Sequence, residues 1–491
     1  MQTWIEEELR TSDIGDERLD ERYKVVLDRL SQKPSVSIPA ACKGPSEVMA
    51  AYRFFDNERV DEDEILQPHR DATLNRIAEH NVVLLLQDTT ELDITRPEQQ
   101  MEGAGPLNDE FHVGFHDHAT LAVTPDRIPL GVIDADIWAR DWEEFRENQK
   151  NKRTKETKKK QKAIEEKESV RWLEGYRCGC EIASQVPDTT VVVISDSEGD
   201  IFECFAEAEE KTGEKKANWI VRAGQNRSLP SKDDQGRWKK LWDEAGKAEV
   251  LGTIEVEVSK NRPKSSDDRK RNQPRDARRA TLTVQATRVT LKGPSRPGGK
   301  LEDLAVNVVL VRETNPPKGQ KPIEWLLLTN LPINTWKKVC LVIDYYCCRW
   351  QIEIYFRVLK SGCRVEELQL ETAERFKPCL ALYMIVAWRV MYVLMLGREC
   401  PEMSCDSVFS EDEWKSVYAV VCQRPTPKVA PTLEEMTYLI ASLGGHLGRA
   451  HDGPPGPKAM WIGMQRMTDL ALAWRTFGPA KTPARTKKKC V

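Results

Sequence analysis

The stretch Asp344-Tyr-Tyr-Cys-Cys-Arg-Trp-Gln-Ile-Glu-Ile-Tyr-Phe-Arg-Val-Leu-Lys360 contains neither glycine nor proline. Its apolar residues recur at helical spacing, so the stretch is predicted to form an α-helix. Tyr346, Arg349, Glu353 and Lys360 are separated by three, four and seven residues. These steps return to nearly the same side of a helix, so one face carries a carboxylate, two cations and a phenol.

Two interpretations of this helix face stay open on spacing alone. A carboxylate flanked by fixed positive charge suits a metal ion held beside phosphate. A surface helix whose Glu353 pairs with Arg349 and Arg357 fits equally, because both arginines lie four residues from the glutamate. Evidence from the rest of the chain is needed to choose between them.

The length and charge of the chain set broad limits on its organisation. At 491 residues the chain is too long for one compact core, so two to four domains are expected. The net charge of −4 argues neither for nor against a polyanionic partner. Basic residues are nevertheless concentrated in residues 150–162, 260–279 and 485–489. Such runs permit nucleic-acid binding without demonstrating it, and they predict a strongly salt-dependent affinity.

The cysteine content and the N-terminus indicate a cytoplasmic protein. Thirteen cysteines form no regular framework, which fits a reducing compartment better than a disulfide scaffold. Cys178-Gly-Cys180 and Cys347-Cys348 lack a spaced second pair, so no zinc site is expected there. The chain opens with charged residues rather than a signal peptide, and no uncharged run approaches the ~20 residues of a membrane span.

Two short apolar runs each lead into an aspartate. Val82-Val-Leu-Leu-Leu86 reads as a buried strand followed by Gln87 and Asp88, and Val191-Val-Val-Ile-Ser195 reads as a second strand followed by Asp196. A carboxylate just beyond the end of a buried strand lies at the rim of an α/β sheet, where ligands gather. A capping aspartate in a loop is the alternative for Asp88 taken alone.

Three histidines lie on the first arm of a predicted hairpin. Residues 113–123 and 128–138 alternate as two strands joined by Thr124-Pro-Asp-Arg. His112, His116 and His118 fall on or beside the first strand. We expect no zinc site there, because alternate strand residues face opposite sides and no helix with paired carboxylate and histidine accompanies them.

Changes in composition and hydrophobic periodicity divide the chain into segments. Residues 1–75 read as several short helices, which would suit either DNA binding or packing. Alternating polar and apolar residues over 229–322 indicate a β-rich insertion, and apolar helical patterns dominate from 376 onward. The predicted segments are a helical unit (1–75), a first core part (76–228), the insertion (229–322), a second core part (323–375), a helical C-terminal region (376–480) and a basic tail (481–491).

Together, Asp88, Asp196 and Glu353 define a chemical hypothesis. Mg²⁺ prefers oxygen and is usually held by a few carboxylates plus substrate phosphates. Two such ions ~3.5–4 Å apart activate a water or 3′-hydroxyl and stabilise the leaving oxygen in an in-line displacement at phosphorus. The order strand–acid, strand–acid, helix–acid is what a ribonuclease-H-like sheet provides. We therefore predict an α/β, ribonuclease-H-like catalytic core interrupted by the β-rich insertion and flanked by helical domains.

The motifs of this chain resemble those of a known family. The signature Tyr-x2-Arg-x3-Glu-x6-Lys falls on the four helix residues from Tyr346 to Lys360 without a gap. Asp88-Thr-Thr90 and Asp196-Ser-Glu-Gly-Asp200 match two further motifs. Ile14-Gly-Asp-Glu-Arg18, the segment 51–57 and Leu443-Gly-Gly445 resemble the terminal regions. The sequence thus resembles the DDE transposases of bacterial cut-and-paste insertion sequences, the family of the transposase of transposon five, over residues 1–475.

The resemblance implies roles for individual residues. Asp88, Asp196 and Glu353 would be both the catalytic residues and the ligands of Mg²⁺, for which Mn²⁺ would substitute. Five residues would contact DNA: Tyr346, Arg349, Lys360, Trp325 and Arg222. Trp325 would stack on a base flipped out during hairpin formation, and an ordinary core aromatic is its alternative. Ser197 departs from the family, which often has arginine there.

The resemblance also implies an activity and its partners. The enzyme would bind terminal inverted repeats, nick the end, form and resolve a hairpin, and join the 3′-hydroxyl to target DNA. It would act as a homodimer in a synaptic complex with double-stranded DNA, without a membrane, in the bacterial cytoplasm and at the nucleoid. Two alternatives remain: a decayed or domesticated copy that only binds DNA, and a metal-dependent nuclease that does not transfer strands.

Overall fold

The computed structural model describes residues 3–150, 163–210, 215–258, 276–449 and 452–479. Most of the basic run at 150–162, much of that at 260–279 and the predicted tail at 481–491 lie outside these ranges. The expectation that these runs make any DNA affinity salt-dependent therefore falls mainly on residues outside the described ranges.

Five helices form the N-terminal unit. Two of them begin at aspartates whose side chains accept a backbone N–H in the first turn, Asp16 from Arg18 and Asp61 from Glu64. The helices are α1 (Thr3–Glu8), α2 (Glu17–Gln32), α3 (Ile38–Ala41), α4 (Pro45–Phe55) and α5 (Glu62–Ala78).

The first part of the core alternates strands and helices. The predicted hairpin is confirmed, and the strand before Asp196 ends one residue before that aspartate. The strands are β1 (Val82–Asp93), β2 (Gly105–Pro106), β3 (Val113–Val123), β4 (Pro129–Trp138), β5 (Thr190–Ser195) and β6 (Asn218–Arg222). The helices are α6 (Trp142–Lys150), α7 (Val170–Gln185) and α8 (Phe202–Glu209).

One mixed sheet organises this core. Strands β1, β5 and β6 are parallel neighbours, and β3 and β4 continue the sheet beyond β1 in antiparallel fashion. The parallel-paired parts of these strands are short and largely apolar because helices cover both of their faces. This order, β4-β3-β1-β5-β6, fits the predicted ribonuclease-H-like core.

Strand β1 is longer than the sequence pattern predicted. Its parallel pairing with β5 ends at Leu86 opposite Ile194, where the apolar run also ends. Antiparallel pairing with β3 then continues from Gln87 to Asp93. Asp88 therefore lies within a strand rather than in a loop, although it is beyond the last parallel pair.

The predicted β-rich insertion extends the same sheet. Beyond β6 the order is β14-β13-β10-β9, with every pairing antiparallel. The elements are β7 (Ser228–Lys232), β8 (Trp238–Lys240), α9 (Leu241–Ala245), β9 (Val250–Val258), β10 (Arg278–Leu291), β11 (Ser295–Arg296), β12 (Gly299–Lys300), β13 (Leu304–Glu313) and β14 (Glu324–Thr329). The chain thus returns to the core through β14.

The stretch from 344 to 360 is not one continuous helix, as the sequence had predicted. It spans the end of α10 (Trp336–Cys347), the helix α11 (Trp350–Arg357) and a π-turn at Val358–Gly362. Between α10 and α11 the N–H groups of Cys348 and Arg349 bond to carbonyls three residues earlier, which tightens the backbone. No glycine or proline causes this break, so local propensity could not predict it.

Two buried clusters cover the two faces of the sheet. Leu84 and Leu86 of β1 belong to one cluster together with Ile352 and Phe356 of α11. The alternate residues of β1 pack on the opposite face against α7. Because side chains alternate along a strand, Asp88 shares the face of Leu84 and Leu86, under α11.

The C-terminal helices follow the longest helix of the chain. Helix α12 (Ala373–Glu399) is, among the described residues, the one helix long and apolar enough to cross a membrane. It packs instead as a core helix, with 89% of its most apolar window buried. Beyond it, α13 (Glu411–Cys422), α14 (Leu433–Leu443) and α15 (Pro457–Phe477) form a separate buried cluster with its last turns.

The N-terminal helices share a core with the sheet. Buried side chains of α2, α4 and α5 belong to the same cluster as β1 and α12. The segment boundaries given by the sequence therefore stay predictions, because no break in the buried core separates residues 1–75 from the rest.

Candidate active site

The strand order brings the two predicted aspartates to one edge of the sheet. Asp88 lies two residues past Leu86, and Asp196 lies two residues past Ile194, its parallel partner. Both strands run in the same direction, so their carboxyl ends meet at the same edge. The third predicted acid, Glu353, lies on α11, which packs against β1 over this edge.

Arg349 joins two of these acids. Its Nη1 donates to Asp88 Oδ2 at 3.2 Å, and its Nη2 donates to Glu353 Oε1 at 2.5 Å. The Arg349 side chain is only 9% exposed, against 37% for that of Glu353. Arg357 is exposed. Of the two pairings in the surface-helix alternative, the structure shows that of Glu353 with Arg349, whose buried guanidinium also donates to Asp88.

The pKa of the Asp88 carboxyl group is raised to about 7, mainly by burial. The Arg349 guanidinium and the Thr89 N–H oppose this rise, and the charges of Asp196 and Glu353 add to it. The Thr89 N–H donates to Asp88 Oδ1 at 2.9 Å. Asp196 and Glu353 therefore both lie within electrostatic range of Asp88. A raised pKa of this kind is typical of acids that share a site.

Asp196 caps the turn that follows β5. Its Oδ1 accepts the N–H of Glu198 at 2.7 Å. The next residue, Ser197, receives a hydrogen bond from Arg222 Nη2 at 3.3 Å. Arg222 is thereby held at the end of β6, beside the Asp196 turn. Ser197, which departs from the family pattern, thus contacts Arg222, one of the predicted DNA-binding residues.

Asp200 is the last acid of the same motif, and it has a different environment. It is 3% exposed and accepts the N–H groups of Gly224 and Gln225, each at 2.9 Å. Its carboxylate also pairs with Arg227 at 2.6 Å. It therefore fixes the loop that follows β6 and Arg222. The sequence had matched Asp200 to the motif without giving it a role, because a buried pair is not visible in spacing.

Tyr346 and Trp325 lie together beside the acids. Their ring centroids are 6.0 Å apart and tilted by 59°. Tyr346 is 4% exposed, and burial raises the pKa of its phenol while the charges of Arg222 and Arg349 lower it. Trp325 is partly buried against the same cluster. Both proposed roles of Trp325, base stacking and core packing, remain compatible with this position.

Lys360 lies at the other end of the helical segment, in the π-turn. Its Nζ donates to the backbone carbonyl of Glu91 at 2.5 Å and pairs with Glu366 at 3.2 Å. The π-turn adds one residue to a helical turn, which rotates Lys360 relative to a regular helix. Lys360 therefore contacts Glu91, which lies near the end of β1 and three residues past Asp88.

The histidines of β3 are buried on one face. His116 and His118 are two residues apart and so point to the same side of the strand, which corrects the sequence argument that they face opposite sides. Burial lowers the pKa of His116 to about 4 and that of His118 to about 3. His118 Nδ1 lies 2.8 Å from Thr89 Oγ1. His112 is exposed and contacts Asp109.

The donor set of the three acids suits a divalent ion. Carboxylate oxygens are the ligands that Mg²⁺ prefers, and Asp88 and Asp196 at this edge and Glu353 on the helix over it each carry a carboxylate. As the side chains stand, the described part of the chain contains no group of three acid, histidine or cysteine residues arranged to hold a metal. Asp88 and Glu353 both turn toward Arg349, and Asp196 turns toward a backbone N–H. The ligand chemistry fits, whereas the side-chain positions require rearrangement.

Comparisons with known proteins identify three regions. Residues 1–60 match a family model described as transposase DNA-binding, residues 206–388 match the transposase DDE domain, and residues 385–476 match the transposase Tn5 dimerisation domain. Glu353 lies inside the second match, whereas Asp88 and Asp196 precede it.

One solved structure is similar over much of the chain. It is described as the cryo-EM structure of the piggyBac transposase synaptic complex with hairpin DNA. Identity is 9%, the TM-score is 0.31, and the match covers 86% of this chain and 60% of that one. The chain thus spans less than two thirds of that protein, and a TM-score of this size does not establish a shared fold.

Proposed function

Because the chain belongs to the DDE transposases of the Tn5 type, we propose that it binds the terminal inverted repeats of a mobile element and moves that element by cut-and-paste transposition. The reaction is phosphoryl transfer: nicking at the element's end, formation and opening of a DNA hairpin, and joining of the 3′-hydroxyl to target DNA. The observation that carries the proposal is geometric: Asp88 and Asp196 follow paired parallel strand ends, and Glu353 on the covering helix shares the Arg349 guanidinium with Asp88.

These three acids are the proposed ligands of Mg²⁺, with Mn²⁺ as a substitute. Bound Mg²⁺ would supply charge neutralisation at phosphorus and a more acidic attacking hydroxyl. The carboxylates of Asp88 and Asp196, on adjacent strand ends, and of Glu353, on the covering helix, would orient that charge toward the scissile phosphate. No side chain needs to form a covalent bond with DNA.

Five further residues are the proposed DNA contacts. Arg349, Lys360 and Arg222 would bind phosphates, because guanidinium and ammonium groups pair well with phosphate oxygens. Tyr346 would lie near the scissile strand, and Trp325 would stack on a displaced base. Their support is proximity: Tyr346 lies against Trp325, and Arg222 lies beside the Asp196 turn.

The terminal regions would supply specificity and assembly. Helices α1–α4 fall in the region matched to transposase DNA-binding and would recognise the repeats. Helices α13–α15 fall in the match to the dimerisation domain and would join two chains, so that two ends are held at once. A bacterial cytoplasmic location, with the nucleoid as the site of action, completes the proposal.

The decisive test uses a short duplex ending in the element's terminal sequence. Wild type, Glu353→Ala and the control Glu402→Ala, an exposed carboxylate outside the site, are each incubated with Mg²⁺ or with EDTA. Denaturing gels resolve the products. A Mg²⁺-dependent nick and hairpin in wild type and the control, absent in Glu353→Ala, are expected.

Two other outcomes would favour the alternatives. Binding without any cleavage would indicate a decayed copy, and the contact between Ser197 and Arg222 would then be the first place to examine. Cleavage without joined product, when a target plasmid is supplied, would indicate a nuclease that lacks strand transfer.

A further inference from the structure

Arg349 holds two proposed metal ligands at the same time. Its two terminal nitrogens donate separately to Asp88 Oδ2 and Glu353 Oε1, so one guanidinium bridges a strand and a helix. An arginine cannot lose its proton in a protein, so this positive charge is permanent. It therefore stands where the charge of a divalent ion would be needed.

The Arg349–Asp88 part of the bridge is largely shielded from water, whereas Glu353 is 37% exposed. The side chains of Arg349 and Asp88 are 9% and 19% exposed. Two carboxylates this close repel each other unless a cation lies between them, and the repulsion is stronger where water is excluded. Arg349 thus stabilises the arrangement of Asp88 and Glu353 when no other cation is present. The same contacts make it a competitor of any ion that needs these oxygens.

We propose that Arg349 is an internal cation that makes divalent-metal binding depend on a DNA phosphate. In the free protein it occupies Asp88 and Glu353. A phosphate of bound DNA takes over its guanidinium, which frees both carboxylates for the ion. The inference rests on the proposed function and adds an order of events: DNA binds before the complete metal site forms.

The local backbone suits such a change of partner. Arg349 lies at the tightened junction between α10 and α11 rather than in the middle of a regular helix. Trp350, the next residue, is 50% exposed, and the Arg349 guanidinium lies 5.3 Å from its ring centroid. The guanidinium therefore already lies near a side chain, Trp350, that is half exposed to solvent.

Lys360 shows the same pattern of internal pairing. Its ammonium contacts the Glu91 carbonyl and the Glu366 carboxylate. Arg357, in contrast, is exposed, and no ion pair joins it to an acid in the described part of the chain. Of the three basic residues Arg349, Arg357 and Lys360, only Arg349 donates to the proposed ligands. Arg357 therefore serves as a matched control on the same helix.

The test measures Mn²⁺ binding to the full chain by electron paramagnetic resonance, with and without a short duplex of the terminal sequence. We expect wild type to bind Mn²⁺ about tenfold more tightly when DNA is present. Without DNA, Arg349→Met is expected to bind Mn²⁺ about tenfold more tightly than wild type, whereas Arg357→Met matches wild type. Arg349→Lys, which keeps the charge, is expected to restore the weak DNA-free affinity.

Thermal unfolding provides a second measurement that does not require activity. Without Arg349 two partly buried carboxylates face each other, so Arg349→Met is expected to melt at a lower temperature than wild type. Mg²⁺ alone should restore that stability, because an ion that binds only the folded state raises its melting temperature. Wild type without DNA should respond little to Mg²⁺.

The possible outcomes separate this inference from the proposed function. Equal Mn²⁺ affinity of DNA-free wild type and Arg349→Met would overturn the internal-cation role while leaving the metal ligands intact. Equal affinity of wild type with and without DNA would overturn it as well, even if Arg349→Met proved unstable. If Glu353→Gln changed no affinity under any condition, the metal site of the proposed function would itself be wrong.

Discussion

The carboxyl group of Asp117 lies on the same face of the sheet as Asp88, without a hydrogen-bond partner in the described part of the chain. It stands opposite Thr90 in the pairing of β1 with β3, so it shares the face of Asp88. It is fully buried, and neither of its oxygens has a hydrogen-bond partner among the described residues. Burial, with the charges of Asp136 and Asp134, raises its pKa to about 8. The native protein therefore holds Asp117 in its neutral form near pH 7.

The raised pKa of Asp117 predicts that the free energy of unfolding falls as pH rises. Because the folded-state pKa lies above the unfolded value, stability is lost as pH rises toward 8. Asp117→Asn has the same shape and no ionisable group. Its free energy of unfolding relative to wild type should therefore increase by about 3 kcal/mol between pH 5 and pH 8. Urea unfolding at both pH values measures this difference, and the exposed Asp188→Asn should show none.

The buried histidines of β3 predict a loss of stability as pH falls, whereas Asp117 predicts a loss as pH rises. Their folded-state pKa values, about 4 for His116 and about 3 for His118, lie below the unfolded value. The unfolded chain therefore binds more protons than the folded one as pH falls below ~6.5, and stability decreases from there. His118→Gln should flatten this decrease in a pH series of urea unfolding. An unchanged slope would show that His118 is not buried in its neutral form.

At the scale of elements, close approach of α7 to the sheet supports the strands that carry the acids. A Cβ placed on Gly179 would lie 2.5 Å from Val193 Cγ2, in a buried strand that cannot yield easily. This glycine separates the cysteines of Cys178-Gly-Cys180. The structure gives that motif a packing role, since both thiols are free.

Gly179→Ala should therefore destabilise the fold. We expect a loss of about 1–3 kcal/mol in the free energy of unfolding, because extra volume in a packed interface forces neighbouring groups to move. The matched control is Gly298→Ala, since nothing lies within 4 Å of a Cβ at that position. Urea unfolding of both variants measures the contrast. Equal effects would mean that α7 can shift without cost.

At the scale of the whole molecule, one buried network joins the N-terminal helices to the core. Glu8 of α1 accepts both terminal nitrogens of Arg76, at 2.9 and 3.0 Å, and contacts His69 Nδ1 at 2.5 Å. His69 Nε2 in turn accepts the N–H of Val132 in β4. Burial raises the pKa of Glu8, but His69 and Arg76 together hold it below its usual value. The proposed end-binding unit is therefore fixed to the catalytic sheet.

Glu8→Gln tests this connection. Removing one partner of a buried ion pair leaves Arg76 uncompensated, so we expect a loss of about 3 kcal/mol in the free energy of unfolding. Glu7→Gln changes the adjacent, exposed carboxylate and should have little effect. Limited proteolysis of the N-terminal helices provides the second readout, since a loosened unit is cleaved faster at the same temperature.

Several features of the fold and of the candidate site were predicted from the sequence alone. The apolar runs before Asp88 and Asp196 predicted two buried strands, because length and branched residues distinguish them from helices. Helical spacing placed Glu353 on a helix, and the alternating pattern of residues 113–138 predicted the hairpin. The motifs, which three family matches support, indicated the transposase family. These features depend on local periodicity or on residue identity.

Other features were decided only by the tertiary structure. The sequence did not predict the break between α10 and α11, the length of β1 or the continuation of the sheet through the insertion, because pairing between distant strands is not encoded in local propensity. Nor did spacing reveal that Arg349 reaches Asp88, 261 residues earlier in the chain, or that Asp117 and Glu8 are buried. Burial and ion pairing across the chain depend on which elements pack together. That packing determines how Arg349 is shared between Asp88 and Glu353.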